Sequence, residues 1–104
     1  MPKSRYVRLA QNVANQATGP FRHGAVVLSK GKVLAEACNK FSGTENKSIH
    51  AEARVINKVP RHLTHQATMI VVRVGASGLL ATSKPCPTCQ KLITKLKFRH
   101  IYFS

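Results

Sequence analysis

The run TMIVVRV at residues 68–74 is almost unbroken in apolar, mostly β-branched side chains and reads as a buried strand. The segment beyond it restricts the topology. A loop at 75–78 and a short extension at 79–82 lead into a stretch of helical spacing from about 87 to 97, with Pro87 suited to its first turn. Along that helix Cys86, Cys89, Ile93 and Leu96 share one face, and Lys91 and Lys95 the other. HIYF at 100–103 is a last strand. A strand–helix–strand unit of this kind predicts a sheet that is parallel at this point.

The sequence before it supplies the other elements. Residues 6–17 place Tyr6, Leu9, Ala10, Val13 and Ala17 on one helical face, and Gly19-Pro20 ends that helix. Two β-prone runs, 25–29 and 33–38, flank Lys30-Gly31 and predict a hairpin across a tight turn. The polar stretch 41–47 (FSGTENK) reads as a loop. Ser48 is then expected to cap a helix whose first turn holds His50 and Glu52. Its apolar face uses Ala53, Ile56 and Val59, and Pro60 stops it. The order helix, hairpin, helix, strand, helix, strand implies a sheet with helices packed on its faces.

At 104 residues the chain is expected to form a single domain, 1–104, with one modest core. Composition enters mainly through charge: 17 Lys+Arg stand against 3 Asp+Glu, a formal net charge of +14. A hydrophobic content of 43% is too high for a disordered basic tail. The basic residues are spread along the whole chain, which gives a positive potential over most of the surface and favours phosphate backbones. A solvated surface kept soluble by charge is the plainer alternative. No apolar run approaches the roughly 18–20 residues that span a bilayer. The N-terminus lacks the apolar segment of a secretory signal, so an intracellular, cytoplasmic protein with no membrane partner is expected. The 3 cysteines, two of them close together, fit free thiols able to bind metal better than a disulfide framework.

Cys86-Pro87-Thr88-Cys89 lies at a strand-to-helix junction, where thiols at i and i+3 point the same way and the helix N-terminus favours thiolate. A thioredoxin-like redox pair would follow the first strands of a larger fold, whereas Cys89 stands 15 residues from the end. A four-cysteine zinc ribbon would need a second pair, and only Cys38 remains, which reads as a small buried residue near a strand end. A third ligand would then be a histidine or a carboxylate. His50 is the candidate, because His50-Ala51-Glu52 opens a helix with a carboxylate two residues on; a cap or surface histidine is the plainer alternative. His50, Cys86 and Cys89 would leave zinc a fourth position for water, the arrangement of a catalytic rather than a structural site. Zinc brings the pKa of such a water toward about 7, and Glu52 stands where it could take the proton without being a ligand.

Together these residues spell H-A-E and then P-C-P-T-C, with Cys86 falling 36 positions after His50. On that pattern the sequence resembles the cytidine/deoxycytidylate deaminase superfamily of zinc-dependent enzymes, in particular the branch with tRNA adenosine deaminases and dCMP deaminases. The resemblance covers most of the chain. His23-Gly24-Ala25-Val26-Val27 is similar to the family's first core strand, 32–39 (KVLAEACN) to its second, and 83–86 (SKPC) to its zinc-helix entry. It implies a three-layer α-β-α fold with a mixed sheet of about four strands, and one Zn2+ on His50, Cys86 and Cys89. It also implies that Asn39 contacts the nucleotide, that backbone near Ala51, Pro85 and Cys86 holds the base edge, and that His23 lines the pocket. The implied reaction is hydrolytic deamination at C4 of cytosine or C6 of adenine, with Glu52 carrying protons to the ring nitrogen and the departing amine. Members of the branch usually continue with a further strand and helix. A sequence stopping at Ser104 is therefore expected to pair with a second copy through an exposed sheet edge or a helix face.

Charge sets the substrate expectation. The leading one is a deaminase acting on single-stranded DNA or RNA, the unpaired base in the pocket and Lys40, Lys47, Arg54, Lys84 and Lys91 on flanking phosphates. A free cytidine or dCMP deaminase is the alternative of the same chemistry; it needs only one or two phosphate contacts, and salt sensitivity separates the two. A non-catalytic, zinc-containing basic nucleic-acid-binding protein is the alternative of another class. Glu52 speaks against it, since a structural zinc has no use for that carboxylate. QKLI at 90–93 does not resemble the small-residue run typical of tRNA adenosine deaminases, so cytosine is expected over adenine. His62, His65 and His100 are expected on the surface.

Overall fold

A computed structural model describes residues 4–17, 22–42, 47–49, 51–75, 80–81 and 87–104. In chain order these form α1 (Ser4–Ala14), β1 (Arg22–Ser29), β2 (Lys32–Cys38), β3 (Lys40–Ser42), β4 (Lys47–Ile49) and α2 (Ala51–Ile56). A 3-10 turn (Arg61–Gln66), β5 (Thr68–Val74), β6 (Leu80–Ala81), α3 (Pro87–Leu96) and β7 (His100–Phe103) complete the order.

β5 is the centre of the main sheet, as its apolar run demands. Along one side it pairs antiparallel with β1, from Arg22↔Val74 to Leu28↔Thr68, and β1 in turn pairs with β2. Along its other side β7 runs parallel to the first half of β5 (Thr68↔His100 to Val71↔Phe103), and β6 runs antiparallel to its end (Arg73↔Ala81, Val74↔Leu80). β6 and β7 therefore share one lane, and the described mixed sheet has four lanes. The β1–β2 turn has Lys30 at φ 52° and Gly31 at φ 78°. Two successive left-handed residues match the twist of a two-residue hairpin, which is why glycine stands there.

The two faces of the sheet carry different helices, and the period-2 alternation of the strands assigns each residue to a layer. Val26, Leu28, Ile70, Val72 and Val74 pack with Ala10, Val13 and Ala14 of α1. Ala25, Val27, Ala35, Ala37, Met69 and Val71 pack on the opposite face with Ala51, Val55, Ile56, Val59, Ile93 and Phe98. The result is the expected three-layer α-β-α arrangement. α1 approaches β1 so closely that a Cβ on Gly24 would run into the Ala10 carbonyl and stand 2.6 Å from the Ala14 nitrogen. No described helix is long and apolar enough to cross a membrane.

Some expectations change. α1 starts at Ser4 and ends at Ala14, and Ala14 rather than Ala17 completes its buried stripe. The stretch expected as a loop holds two short paired strands, β3 and β4, with Phe41 opposite Ser48. Ser48 is therefore extended backbone in β4 and does not cap α2, which starts at Ala51. The buried side of α2 uses Ala51, Val55 and Ile56, while Ala53 is half-buried. Cys38, expected to be buried, is a half-buried free thiol, whereas His62, His65 and His100 are exposed as expected.

Candidate active site

Two sets of contacts fix the direction of the helices on the catalytic-motif face. Arg54 Nη1 donates to the Cys38 carbonyl at 2.6 Å and Lys58 Nζ to the Glu36 carbonyl at 3.1 Å. α2 thus runs opposite to β2, and its first turn lies toward the end of β2, where Asn39 stands. At the far end of α3, Thr64 Oγ1 lies 2.8 Å from the Leu96 carbonyl, and the Arg99 amide donates to Ala67 just before β5. α3 therefore runs opposite to β5, and its first turn lies toward the end of β5. The starts of α2 and α3, the end of β2, the start of β1 and the end of β5 meet at one end of the sheet.

Asn39, His23 and Arg73 form a row across that end. His23 pairs with Arg73 in the β1–β5 register. Each lies two positions from a residue of the α2/α3 face (Ala37, Ala25 and Val71), so all three belong to that face. Asn39 is 5% exposed, and His23 and Arg73 are half-buried. The Asn39 amide donates to the His23 carbonyl at 3.2 Å, and the His23 amide donates to Asn39 Oδ1 at 2.8 Å. A side-chain oxygen thus takes the place of a main-chain carbonyl in the ladder. This orients the carboxamide, whose other end, Nδ2, can only donate. Arg22 stiffens the same end: Nη1 donates to Asn15 Oδ1 at 3.0 Å and Nη2 to the Gly75 carbonyl at 3.2 Å.

Ala51 is fully buried as the first residue of α2. Glu52 belongs to the first turn of α2 and Cys89 to the first turn of α3, with side chains outside the description. His50, Lys84, Pro85 and Cys86 lie outside the described residues. Lys40 and Lys47 begin β3 and β4, their side chains outside the description, and Lys91 is exposed on α3. Arg54, expected on phosphate, is half-buried with its guanidinium on Cys38. Sequence reasoning passed over Arg73, although a lone cation in an otherwise apolar run was a visible signal.

One histidine and two cysteines are a donor set that zinc accepts in catalytic sites, leaving a position open. The helices bordering that set start at the same end of the sheet, so the residues present fit the metal. The whole chain, residues 1–104, matches the family described as "Cytidine and deoxycytidylate deaminase zinc-binding region", and the chain belongs to it, with Zn2+ as the family's cofactor.

Solved structures share the fold. The dCMP deaminase of cyanophage S-TIM5 superposes with a TM-score of 0.66 at 18% identity, covering 95% of this chain and 79% of its own. Cytidine deaminase from Burkholderia pseudomallei gives 0.69 at 20% identity, covering 93% and 78%. Guanine deaminase from Bacillus subtilis gives 0.69 at 21%, covering 100% of this chain and 64% of that one. No curated protein matches the sequence.

Proposed function

We propose that this protein is a zinc-dependent hydrolytic deaminase that converts a nucleobase amine to a carbonyl with release of ammonia, cytosine favoured over adenine. The observation that carries the reading is the meeting of the first turns of α2 and α3 with Asn39 and His23 at one end of the sheet. His50, Cys86 and Cys89 would hold the metal, which when bound supplies Lewis acidity that makes water nucleophilic near neutral pH. Glu52 would take a proton from the water and return protons to the ring nitrogen and the departing amine. Asn39, oriented by the His23 amide, would contact the nucleotide. Backbone near Ala51 and Pro85 would hold the base edge beside His23.

Single-stranded DNA or RNA is the proposed substrate, on the strength of the net charge of +14. Exposed cations such as Arg8, Lys32, Lys91, Lys95 and Arg99 lie on several sides of the fold, where they would follow a phosphate backbone. Pairing of two copies belongs to the same reading. At the β6/β7 edge an apolar groove of about 180 Å³ is lined by Val7, Ile70, Leu80, Tyr102 and Phe103 among others, and Leu80 and Phe103 are exposed. Sedimentation of the zinc-loaded protein is expected to show a dimer or larger species.

The test is a substrate panel on zinc-loaded protein beside Glu52→Ala. Cytosine- and adenine-containing DNA and RNA oligonucleotides and free dCMP are incubated, digested to nucleosides and read by mass spectrometry. Uracil in the oligonucleotide, absent with the variant and suppressed by salt, is the expected result. Conversion of dCMP alone overturns the polynucleotide substrate. No product, with zinc and oligonucleotide still bound, overturns catalysis in favour of a binding protein.

A further inference from the structure

α2 is only six residues long, and a helix of that length has no stability of its own in water. Its apolar contacts, through Ala51, Val55 and Ile56, hold it against the sheet. Apolar contact is non-directional, however, and resists sliding along the sheet poorly. The strand beneath offers a directional alternative. Because the Asn39 amide bonds to the His23 carbonyl, the alternate residues Cys38 and Glu36, opposite Gly24 and Val26, turn their carbonyls away from β1. β2 ends the order of the described sheet, so these carbonyls face its open edge.

Both are taken by cations from the α2 segment. Arg54 Nη1 stands 2.6 Å from the Cys38 oxygen and 3.8 Å from its Sγ, and Lys58 Nζ stands 3.1 Å from the Glu36 oxygen. Arg54 lies in α2 and Lys58 in the turn just after it, and they reach alternate carbonyls of β2, which stand about 6.7 Å apart along the strand. The part-buried Arg54 bond has the short length of a strong charge-assisted hydrogen bond, while the exposed Lys58 bond is longer. They also occupy edge carbonyls that would otherwise be open to pairing.

We infer that Arg54 and Lys58 form a two-point clamp on the β2 edge, and that Arg54 is a positioning residue that sets where the first turn of α2 stands over Asn39 and His23. Glu52 lies two residues before Arg54, so the clamp sets the placement of the proposed proton carrier; this part of the inference rests on the function proposed above. Arg54 acts through α2 and touches neither substrate nor metal. Lysine at this position keeps a cation but loses the planar fork, and restores the clamp in part.

The test compares Arg54→Ala, Arg54→Lys and Lys58→Ala with the parent protein, each zinc-loaded. Hydrogen exchange of the amides of residues 51–56 reads the clamp without activity, and is expected to speed up about tenfold or more in Arg54→Ala through easier local opening. On whichever substrate the parent converts, kcat is expected to fall about 10- to 100-fold, the cost of misplacing a catalytic group by about 1 Å, with KM little changed. Arg54→Lys regains part of both, and Lys58→Ala moves exchange in the same direction. Unchanged exchange and kcat in Arg54→Ala overturn the clamp. So does a loss confined to KM whose salt slope on an oligonucleotide drops by about 0.7, the mark of a phosphate contact. If Arg54→Ala does not fold, exchange and kcat of Arg54→Lys and Lys58→Ala decide by the same criteria. If the parent converts no substrate, the proposed function fails while exchange still decides the clamp.

Discussion

Replacing Asn39 by alanine would remove the acceptor that the His23 amide uses at 2.8 Å, at the point where the β1–β2 ladder ends. A part-buried amide deprived of its partner costs about 1 kcal/mol, so Asn39→Ala is expected to melt a few degrees lower in a thermal scan. Asn39→Asp keeps the accepting oxygen and loses the donating end. It is expected to melt close to the parent while losing most activity, which separates the ladder role from the proposed contact with substrate. Gly24 is constrained differently: in Gly24→Ala the new methyl would meet the backbone of α1 at Ala10 and Ala14. Overpacking of this kind costs about 1–3 kcal/mol or more, and backbone cannot swing aside as a side chain can. The shift is measured as a lower urea midpoint with an unchanged slope.

At the scale of elements, each helix on the motif face is held by a side-chain hydrogen bond made outside its motif. α2 is fastened to the β2 edge through Arg54 and Lys58, and α3 is fastened at its last carbonyl by Thr64, which is 5% exposed. Thr64→Val keeps the shape but removes the hydroxyl shared between the Leu96 and Arg61 carbonyls. A loss of about 1 kcal/mol is expected from part-buried carbonyls left without it, seen as a lower melting temperature and faster exchange in the last turn of α3. β3 and β4 show how an element can escape a sequence pattern. FSGTENK has the composition of a turn, and its flanks pair because they are brought opposite one another between β2 and α2.

At the scale of the whole molecule, charge and metal should dominate behaviour. If the protein binds a single strand as proposed, its net charge of +14 would make that binding fall with salt, with a log–log slope of about −0.7 for each phosphate contacted. Fluorescence anisotropy of a labelled oligonucleotide across a salt series is expected to give a slope of several such contacts. Zinc on His50, Cys86 and Cys89 would join the starts of α2 and α3, so removing it costs stability by linkage. Chelation is expected to lower the melting temperature, and added Zn2+ to restore it.

Most of the fold was legible because its signals are local. β5 and β7 have the bounds read from TMIVVRV and HIYF, and α3 that of a Pro-initiated apolar stripe. The hairpin came from two β-prone runs around Lys30-Gly31. The proposed donor set and Glu52 come from the H-A-E and P-C-P-T-C pattern and the family resemblance it carries, and His50 and Cys86 lie outside the described residues. Sequence could not assign Ser48, whose cap chemistry was overridden by pairing with Phe41, nor the direction of Arg54, because a cation looks the same facing solvent or a carbonyl. Residue type and period decided which segments become strands and helices and which face each buries, since those depend on neighbours a few positions away. Tertiary structure alone decided that Asn39, His23 and Arg73 form a row, that two helices start over it, and that Arg54 turns inward. Those facts depend on which strands lie side by side, and no short-range pattern encodes that.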